Sequence, residues 1–378
     1  MPVSELTSFF NILTSNNKRN NTNMIMTLKQ KLEQQPVTMS APCRLDVGGT
    51  LDISTFYFPL RRLSPSTFNI AIDMRTTVSL LPYASGRVKI SSKGFETAEF
   101  KSDNLPLVHP MGLMFAIASY FGADGVHIDI NSSSPPRSAL GGSSVAAVAL
   151  ISAFLKADNS LKDGVIPADK VVLLAHHLES SVARVPCGIQ DQLAAAYGGV
   201  SKWGWTGEVS GLPYDRTVLV DKSSYTELEQ CFIAAYCGQP HESKDINGRW
   251  VNYFLNGDYP EIWKEIVACS NRFSDAISEK NYSQAALIMQ RETALRMQMT
   301  PDVLDDTGVL LNQAALSKDC GARFTGAGGG GCVWATGPED RIALLRSDWE
   351  SLLSENKNAF MLDVKIDGDG VRCDSDSE

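Results

Sequence analysis

At 378 residues, 43% hydrophobic and 20% charged, the chain holds enough apolar material for two cores side by side and too little charge for general disorder. A formal net charge of −9 excludes a nucleic-acid surface, because phosphate contacts need clustered Lys and Arg that this composition lacks. No run approaches about 18 consecutive apolar residues, so no helical membrane span is expected. The eight cysteines are scattered, without a CxxC pair or a His at zinc-ligand spacing. They read as small buried residues of a reducing compartment, and with no signal peptide at the start the expected location is cytoplasmic.

Residues 1–38 are rich in Asn, Ser, Gln and Lys and read as a disordered leader, in which only Met26 to Gln34 carries a helical pattern. The chain becomes strand-like from Val37. Phe68 to Leu81 alternates with a period of two, and Gly86 reads as a hairpin turn before Arg87 to Ser92. A short strand over Val126 to Asn131 leads into a small-residue loop. Helical spacing follows over Ser143 to Lys156, Ala168 to Ser181 and Asp191 to Tyr197, the last closed by Gly198 and Gly199.

Trp203 to Asp221 reads as strands and turns, and Cys231 to Cys237 as a buried strand. Four helices are expected at Gly248 to Tyr253, Trp263 to Ile277, Tyr282 to Met297 and Thr307 to Ser317. Strands at Arg323 to Phe324 and Cys332 to Thr336 flank a glycine run. A helix over Glu339 to Glu355, a last strand over Ala359 to Ile366 and a loose acidic tail at 372–378 complete the chain. Hairpins mixed with helices, rather than strict βαβ repeats, make this an α+β protein. Gly211 to Arg216 reads as a linker, which divides the chain into an N-terminal domain at 39–215 and a C-terminal domain at 216–371.

Four stretches carry chemistry. In Pro135-Pro136-Arg137-Ser138-Ala139-Leu140-Gly141-Gly142-Ser143-Ser144, a proline-led turn of small residues opens a helix, whose unpaired N–H groups and positive end suit an anion such as a triphosphate. No Lys follows the glycines, so this is not a Walker A loop. The hydroxyls of Ser143 and Ser144 either cap the helix or ligate magnesium. In Cys187-Gly188-Ile189-Gln190-Asp191-Gln192, Asp191 opens a short helix and either caps it or handles the proton of a hydroxyl nucleophile. Arg44 and Asp52 lie in the segment Ala41 to Asp52 around a Gly-Gly turn, and Thr325 to Cys332 is the glycine run, which permits close backbone approach to a ligand.

In order and spacing these four stretches, from about Met39 to about Val371, resemble the GHMP small-molecule kinases, which include galactokinase, mevalonate kinase and homoserine kinase. The resemblance implies a ribosomal-S5-like N-terminal domain and a ferredoxin-like C-terminal domain with the active site between them. It implies ATP held by Pro136, Ser138, Ala139, Leu140, Gly141, Gly142, Ser143 and Ser144. Mg2+ would lie between Ser143 and Glu179, which precedes Asp191 by twelve residues, while the adjacent His176 and His177 read as packing residues.

By the same resemblance Asp191 is the catalytic carboxylate, since galactokinase-like members have GIMDQ and heptose kinases GKQDQ where this chain has GIQDQ. Arg44 stands beside the transferred phosphate. Asp52, Gly188, Gly328, Gly329, Gly330 and His241 would contact the acceptor. The implied activity is transfer of the γ-phosphate to a sugar or sugar-phosphate hydroxyl, with the anomeric hydroxyl of a heptose 7-phosphate as the first choice. Galactokinase, fucokinase and an inactive sugar or ATP sensor of the same fold are the alternatives; the GIQDQ context and Asp52 disfavour a mevalonate or homoserine kinase. Ile189 replaces the lysine of the heptose kinases, which points to an unphosphorylated sugar. Ala139 replaces a glycine of the usual serine loop, and alanine tolerates positive φ badly.

Overall fold

The computed structural model describes residues 26–161, 164–183, 186–208, 210–239 and 246–374. The first described element is a helix, α1 (Leu28–Gln34), whose N-terminus is closed by a reciprocal capping box between Thr27 and Gln30. Its Leu32 is fully buried, and the helix packs on the first sheet. Residues 28–34 are therefore ordered, against the expected leader over 1–38, and residues 1–25 lie outside the described residues. A cap plus one buried leucine is enough to hold a polar helix, and strand β1 (Val37–Val47) begins directly after it.

Strand β1 pairs along its whole length with β2 (Ser66–Pro82), the long alternating segment seen in the sequence. Helix α2 (Ser54–Leu60) bridges the two and lies within a stretch that has no clear period; Pro59 sits inside it. Strands β3 (Arg87–Ser92) and β4 (Ala98–Lys101), helix α3 (Gly112–Tyr120) and strand β5 (Val126–Ser132) follow. They are succeeded by α4 (Gly142–Ala157), α5 (Ala168–Val182), α6 (Gln190–Tyr197), β6 (Val200–Trp205) and β7 (Tyr214–Val220). The first half of β2 pairs with β6 and the second half with β5, so one strand carries both wings of an eight-stranded sheet. Helices α4 and α6 pack on β1 and β2 and bring the serine loop and Asp191 to the same end of that pair.

Beyond α7 (Tyr225–Glu229), the second half runs β8 (Phe232–Tyr236), α8 (Ile246–Leu255), α9 (Pro260–Ser278), α10 (Tyr282–Met299), α11 (Asp306–Ser317), β9 (Gly321–Phe324), β10 (Cys332–Thr336), α12 (Glu339–Ser354), β11 (Phe360–Leu362) and β12 (Arg372–Cys373). Its four-stranded antiparallel sheet has the order β11-β8-β10-β9. Counted from the start of this half, that is fourth, first, third, second, the strand order of a ferredoxin-like βαββαβ unit with extra helices in its first crossover.

Three expected boundaries move. Strand β7 pairs with β6 from Tyr214 to Val220, so the break at 215 would cut the first sheet, and the crossing lies after Val220. The last strand is shorter than Ala359 to Ile366, because the chain leaves β8 after Leu362 and crosses back, with Ile366 bridging Ile72. The expected loose tail also starts too early: β12 pairs with β1, and Ser40 donates to Asp374 at 2.8 Å. Charged termini look free in a sequence because their partners lie hundreds of residues away.

The two halves share one continuous core. Phe68 of β2 meets Phe273 of α9 edge-on at 4.9 Å and lies parallel to Trp334 of β10 at 6.4 Å. Arg75 of β2 ties the returning segment down by pairing with the buried Asp367 and donating to the Gly370 carbonyl at 2.7 Å. Replacing Arg75 with Met leaves Asp367 a buried, unpaired charge, a loss of the order of 3 kcal/mol. The expected outcome is a clear fall in the urea midpoint with an unchanged slope; an unaltered midpoint would contradict this anchoring role.

Candidate active site

The site is built where β1 ends. A register shift between Pro42 and Cys43 offsets β1 against β2 just before Arg44, the kind of irregularity that re-aims a side chain. Arg44 is 2% exposed; its Nε donates to Asp191 Oδ1 at 2.8 Å and its Nη1 to the Ala139 carbonyl at 2.8 Å. Burial works to lower its pKa, yet the carboxylates of Asp191 and Asp46 outweigh it and hold the guanidinium more firmly charged than usual. The N-cap of α6 is Ile189 and Asp191 lies in the first turn, which removes the capping alternative. Its carboxylate stands over Gly141, where an added Cβ would lie 3.0 Å from Asp191 Cγ.

Gly141 precedes α4 with φ +82°, and no side chain caps that 16-residue helix. Its first N–H groups thus face the cleft beside Asp191, as an anion site requires. Ser143 and Ser144 do not cap either. They donate to Glu179 Oε1 at 3.0 Å and Oε2 at 2.7 Å, and Gln192 Nε2 donates to Oε2 at 2.6 Å. Burial raises the Glu179 pKa, with the Asp191 charge adding to it and the three donors opposing it. One carboxylate and one hydroxyl at the mouth of an anion site form a hard oxygen set that fits Mg2+ completed by phosphate and water.

Ala139 does take positive φ, at +61°, as does Arg137 at +56°. The loop is therefore strained where sugar kinases have glycine, and the strain is held by contacts: the Ala139 carbonyl grips Arg44, the Leu140 carbonyl accepts from the Arg44 N–H at 3.4 Å, and Ser138 and Leu140 are buried. Pro136 lies exposed next to Gly94, away from the cleft wall.

The cleft encloses about 290 Å³ and is lined by Arg44, Thr50, Asp52, Ile53, Ala139, Gly141, Gly142, Ser143, Gly188, Gln190, Asp191, Asn247, Gly326 and Ala327. The sequence-derived residues Arg44, Asp52, Ala139, Gly141, Gly142, Ser143, Gly188 and Asp191 thus converge on one space. Gly328, Gly329 and Gly330 are not on this wall. A Cβ on Gly328 would lie 2.5 Å from the Val303 carbonyl, and the Gly329 N–H donates to that carbonyl at 2.8 Å. Gly326 and Ala327, at the start of the run, reach the cleft instead. His241 lies outside the described residues. Ile189 is buried in the core, so its side chain does not face an acceptor.

Asp52 is 4% exposed and accepts the Gln190 N–H at 3.1 Å through Oδ2, while its Oδ1 has no partner. Gly188 is required by space, since a Cβ there would fall 1.7 Å from Asp52 Oδ2. His176 holds Gly188 in place through Nδ1 and its carbonyl at 3.0 Å, a positioning role that its helical spacing hid. Burial pushes the Asp52 carboxyl up to about 6, with the Gln190 N–H opposing and the Asp191 charge adding to the rise. The nearest thiols are no nucleophiles, as burial raises Cys43 to about 11 and Cys187 to about 12.

Behind the cleft runs a chain of buried charges that the motifs did not reveal. Asp46 accepts from Arg323 Nη1 at 3.0 Å and from the Gly326 N–H at 2.8 Å, and lies 3.5 Å from Arg44. Arg323 donates to Glu292 at 2.9 Å, and Glu292 accepts from Arg296 at 2.8 Å. Arg296 then donates to Thr50 Oγ1 at 3.0 Å and to the Gly49 carbonyl at 2.8 Å. Glu292 and Arg296 lie in a helix of mixed polarity, so the sequence does not mark them as buried, and Arg323 is flanked by the apolar Ala322 and Phe324.

Comparison with known proteins agrees with this architecture. Residues 110–199 match the GHMP kinases N terminal domain. Over that stretch the chain is similar to the GHMP kinases. Among curated relatives, a mevalonate kinase of Pyrococcus abyssi is 26% identical over 295 residues, covering 71% of this chain and 81% of that protein. Among solved structures, a D-glycero-D-manno-heptose 1-phosphate kinase from Bacteriodes thetaiotaomicron has a TM-score of 0.68 at 18% identity, covering 89% of this chain and 98% of that one. Lactococcus lactis galactokinase complexed with galactose has a TM-score of 0.67 at 18% identity, covering 98% and 100%. At such identities the structures share the fold. No helix among the described residues is long and apolar enough to cross a membrane.

Because the Asp52 carboxyl is raised from 3.8 to about 6, ionising it costs the folded state above that range. The Asp52→Asn variant is expected to melt a few degrees above the wild type at pH 7.5, with the gap closing as pH falls through about 6 towards 3.8. Thermal melts across that range check it; a gap that is independent of pH would contradict the assignment.

Proposed function

We propose that this chain is an ATP-dependent kinase that transfers the γ-phosphate to a hydroxyl of a sugar or sugar phosphate, the anomeric hydroxyl foremost. The observation that carries the reading is the Asp191–Arg44 pair at 2.8 Å, placed over Gly141 at the open end of α4. Asp52 lines the same cleft with a free carboxylate oxygen.

Each residue has a defined task. The N–H groups of α4 and the loop before it receive the phosphates of ATP. Ser143 and Glu179 are the residues that would hold Mg2+, which supplies charge neutralisation on the phosphates. Asp191 orients the acceptor hydroxyl and accepts its proton as that oxygen bonds to the γ-phosphorus and the bond to the bridging oxygen of ADP breaks. Arg44 holds the Asp191 carboxylate in position through its Nε and places a fixed positive charge beside the transferred group. Asp52 accepts hydrogen bonds from further acceptor hydroxyls. Among the described residues lining the cleft Arg44 is the one cation, and it is already engaged, which favours an uncharged sugar over its phosphate ester.

A mevalonate acceptor is the second reading, because the curated relatives at 24 to 26% identity are mevalonate kinases. ADP release measured against hexoses, heptose 7-phosphates and mevalonate separates the two. Sugar-dependent release is expected, and release with mevalonate alone would overturn the sugar reading. With the accepted substrate, Asp191→Asn is expected to lower kcat by about 10²-fold or more and to leave ATP affinity within a few-fold. Wild-type turnover in that variant would remove Asp191 from the mechanism.

A further inference from the structure

Among the described residues that line the cleft, two side-chain oxygens are buried without a hydrogen-bond donor. One is Asp52 Oδ1, on a side chain all but fully buried; the other is Asn247 Oδ1, at the first turn of α8. Both residues line the same cavity, approaching it from opposite halves of the molecule, Asp52 from the turn after β1 and Asn247 from the first crossover of the ferredoxin-like unit. A buried acceptor without a donor costs about 1 to 3 kcal/mol, and native structures rarely carry two in one place unless something else supplies the protons. Gln190, a polar neighbour, gives its backbone N–H to Asp52 Oδ2, and no hydrogen bond from it reaches Asp52 Oδ1 or Asn247 Oδ1.

We propose that Asn247 is a specificity-determining residue, which reads a second hydroxyl of the acceptor while Asp52 reads the first. The inference rests on the kinase reading above and deepens it by stating what the acceptor must carry. Such a site wants a ligand with at least two O–H donors besides the hydroxyl that is phosphorylated. A polyol ring meets that demand. A hydroxy acid such as mevalonate has only one hydroxyl to spare, and its carboxylate would face that of Asp52. A site built to hydrogen-bond a hydroxyl discriminates strongly against the analogue lacking it, because the buried group is then left unpaired.

The test uses the full-length enzyme, its best sugar and the set of monodeoxy analogues of that sugar, with kcat/KM measured for wild type, Asn247→Leu and Asn247→Asp. In wild type, removal of one particular hydroxyl is expected to cost 10- to 100-fold. In Asn247→Leu the parent sugar loses a similar factor, mostly in KM, and removal of that same hydroxyl costs almost nothing more. Asn247→Asp, which keeps an acceptor oxygen, retains the discrimination and shows that the loss in the leucine variant is not one of folding; thermal melts of both variants check the same point. If sugars are phosphorylated but the deoxy series is unchanged in Asn247→Leu, the assignment of Asn247 is wrong and the sugar kinase reading stands. If no sugar is phosphorylated and mevalonate is, both fall.

Discussion

The arrangement depends on six buried or half-buried charges in alternating order: Asp191, Arg44, Asp46, Arg323, Glu292 and Arg296. Three acids and three arginines leave no net charge, and each interior member lies between two of opposite sign. In a low-dielectric interior a paired chain of this kind is tolerated, whereas removal of one link exposes its neighbours as uncompensated charges, at about 3 to 5 kcal/mol. The chain starts at the proposed catalytic carboxylate and crosses from the first sheet to the second through Asp46 and Arg323. It ends on the Gly49-Thr50 turn that leads to Asp52. It therefore fixes, in one network, the proposed catalytic pair, the start of the glycine run through the Gly326 N–H and the turn that leads to Asp52.

That network also explains how the site tolerates strain. Thr50, a β-branched residue, sits at φ +76°, and Arg137 and Ala139 sit in the same region. Each costs of the order of 1 to 3 kcal/mol and persists only where its surroundings over-determine it. Arg296 holds Thr50, and Arg44 together with the glycine run holds Ala139. The consequence for chemistry is rigidity: dipoles and charges are aimed before the substrate arrives, which is where electrostatic catalysis of phosphoryl transfer gains most.

Much of this was legible in the sequence because it is local. Period-two alternation gave β2, helical spacing gave α4 to α6, and the small-residue loop before Gly141 marked the start of α4 without any tertiary knowledge. What stayed hidden depends on distant partners. Strand β12 is recognisable only once β1 is present beside it, and Arg323, Glu292 and Arg296 look like stray charges until they are seen to face one another. Asn247 escaped for a different reason, since a single polar residue at a helix start carries no motif. The glycine run was read one turn too late, because a run of glycines does not say which of its members will approach the ligand and which will pack on Val303.

The most direct measurement follows the phosphorus itself. Purified protein is incubated with ATP, Mg2+ and a mixture of free hexoses and heptoses, and the phosphate is tracked by phosphorus NMR. The account predicts loss of the γ-phosphate signal and growth of a new phosphate-ester signal coupled to a sugar proton, at the anomeric carbon in the first instance. Growth of inorganic phosphate alone, or of an ester only when mevalonate is supplied, would contradict it.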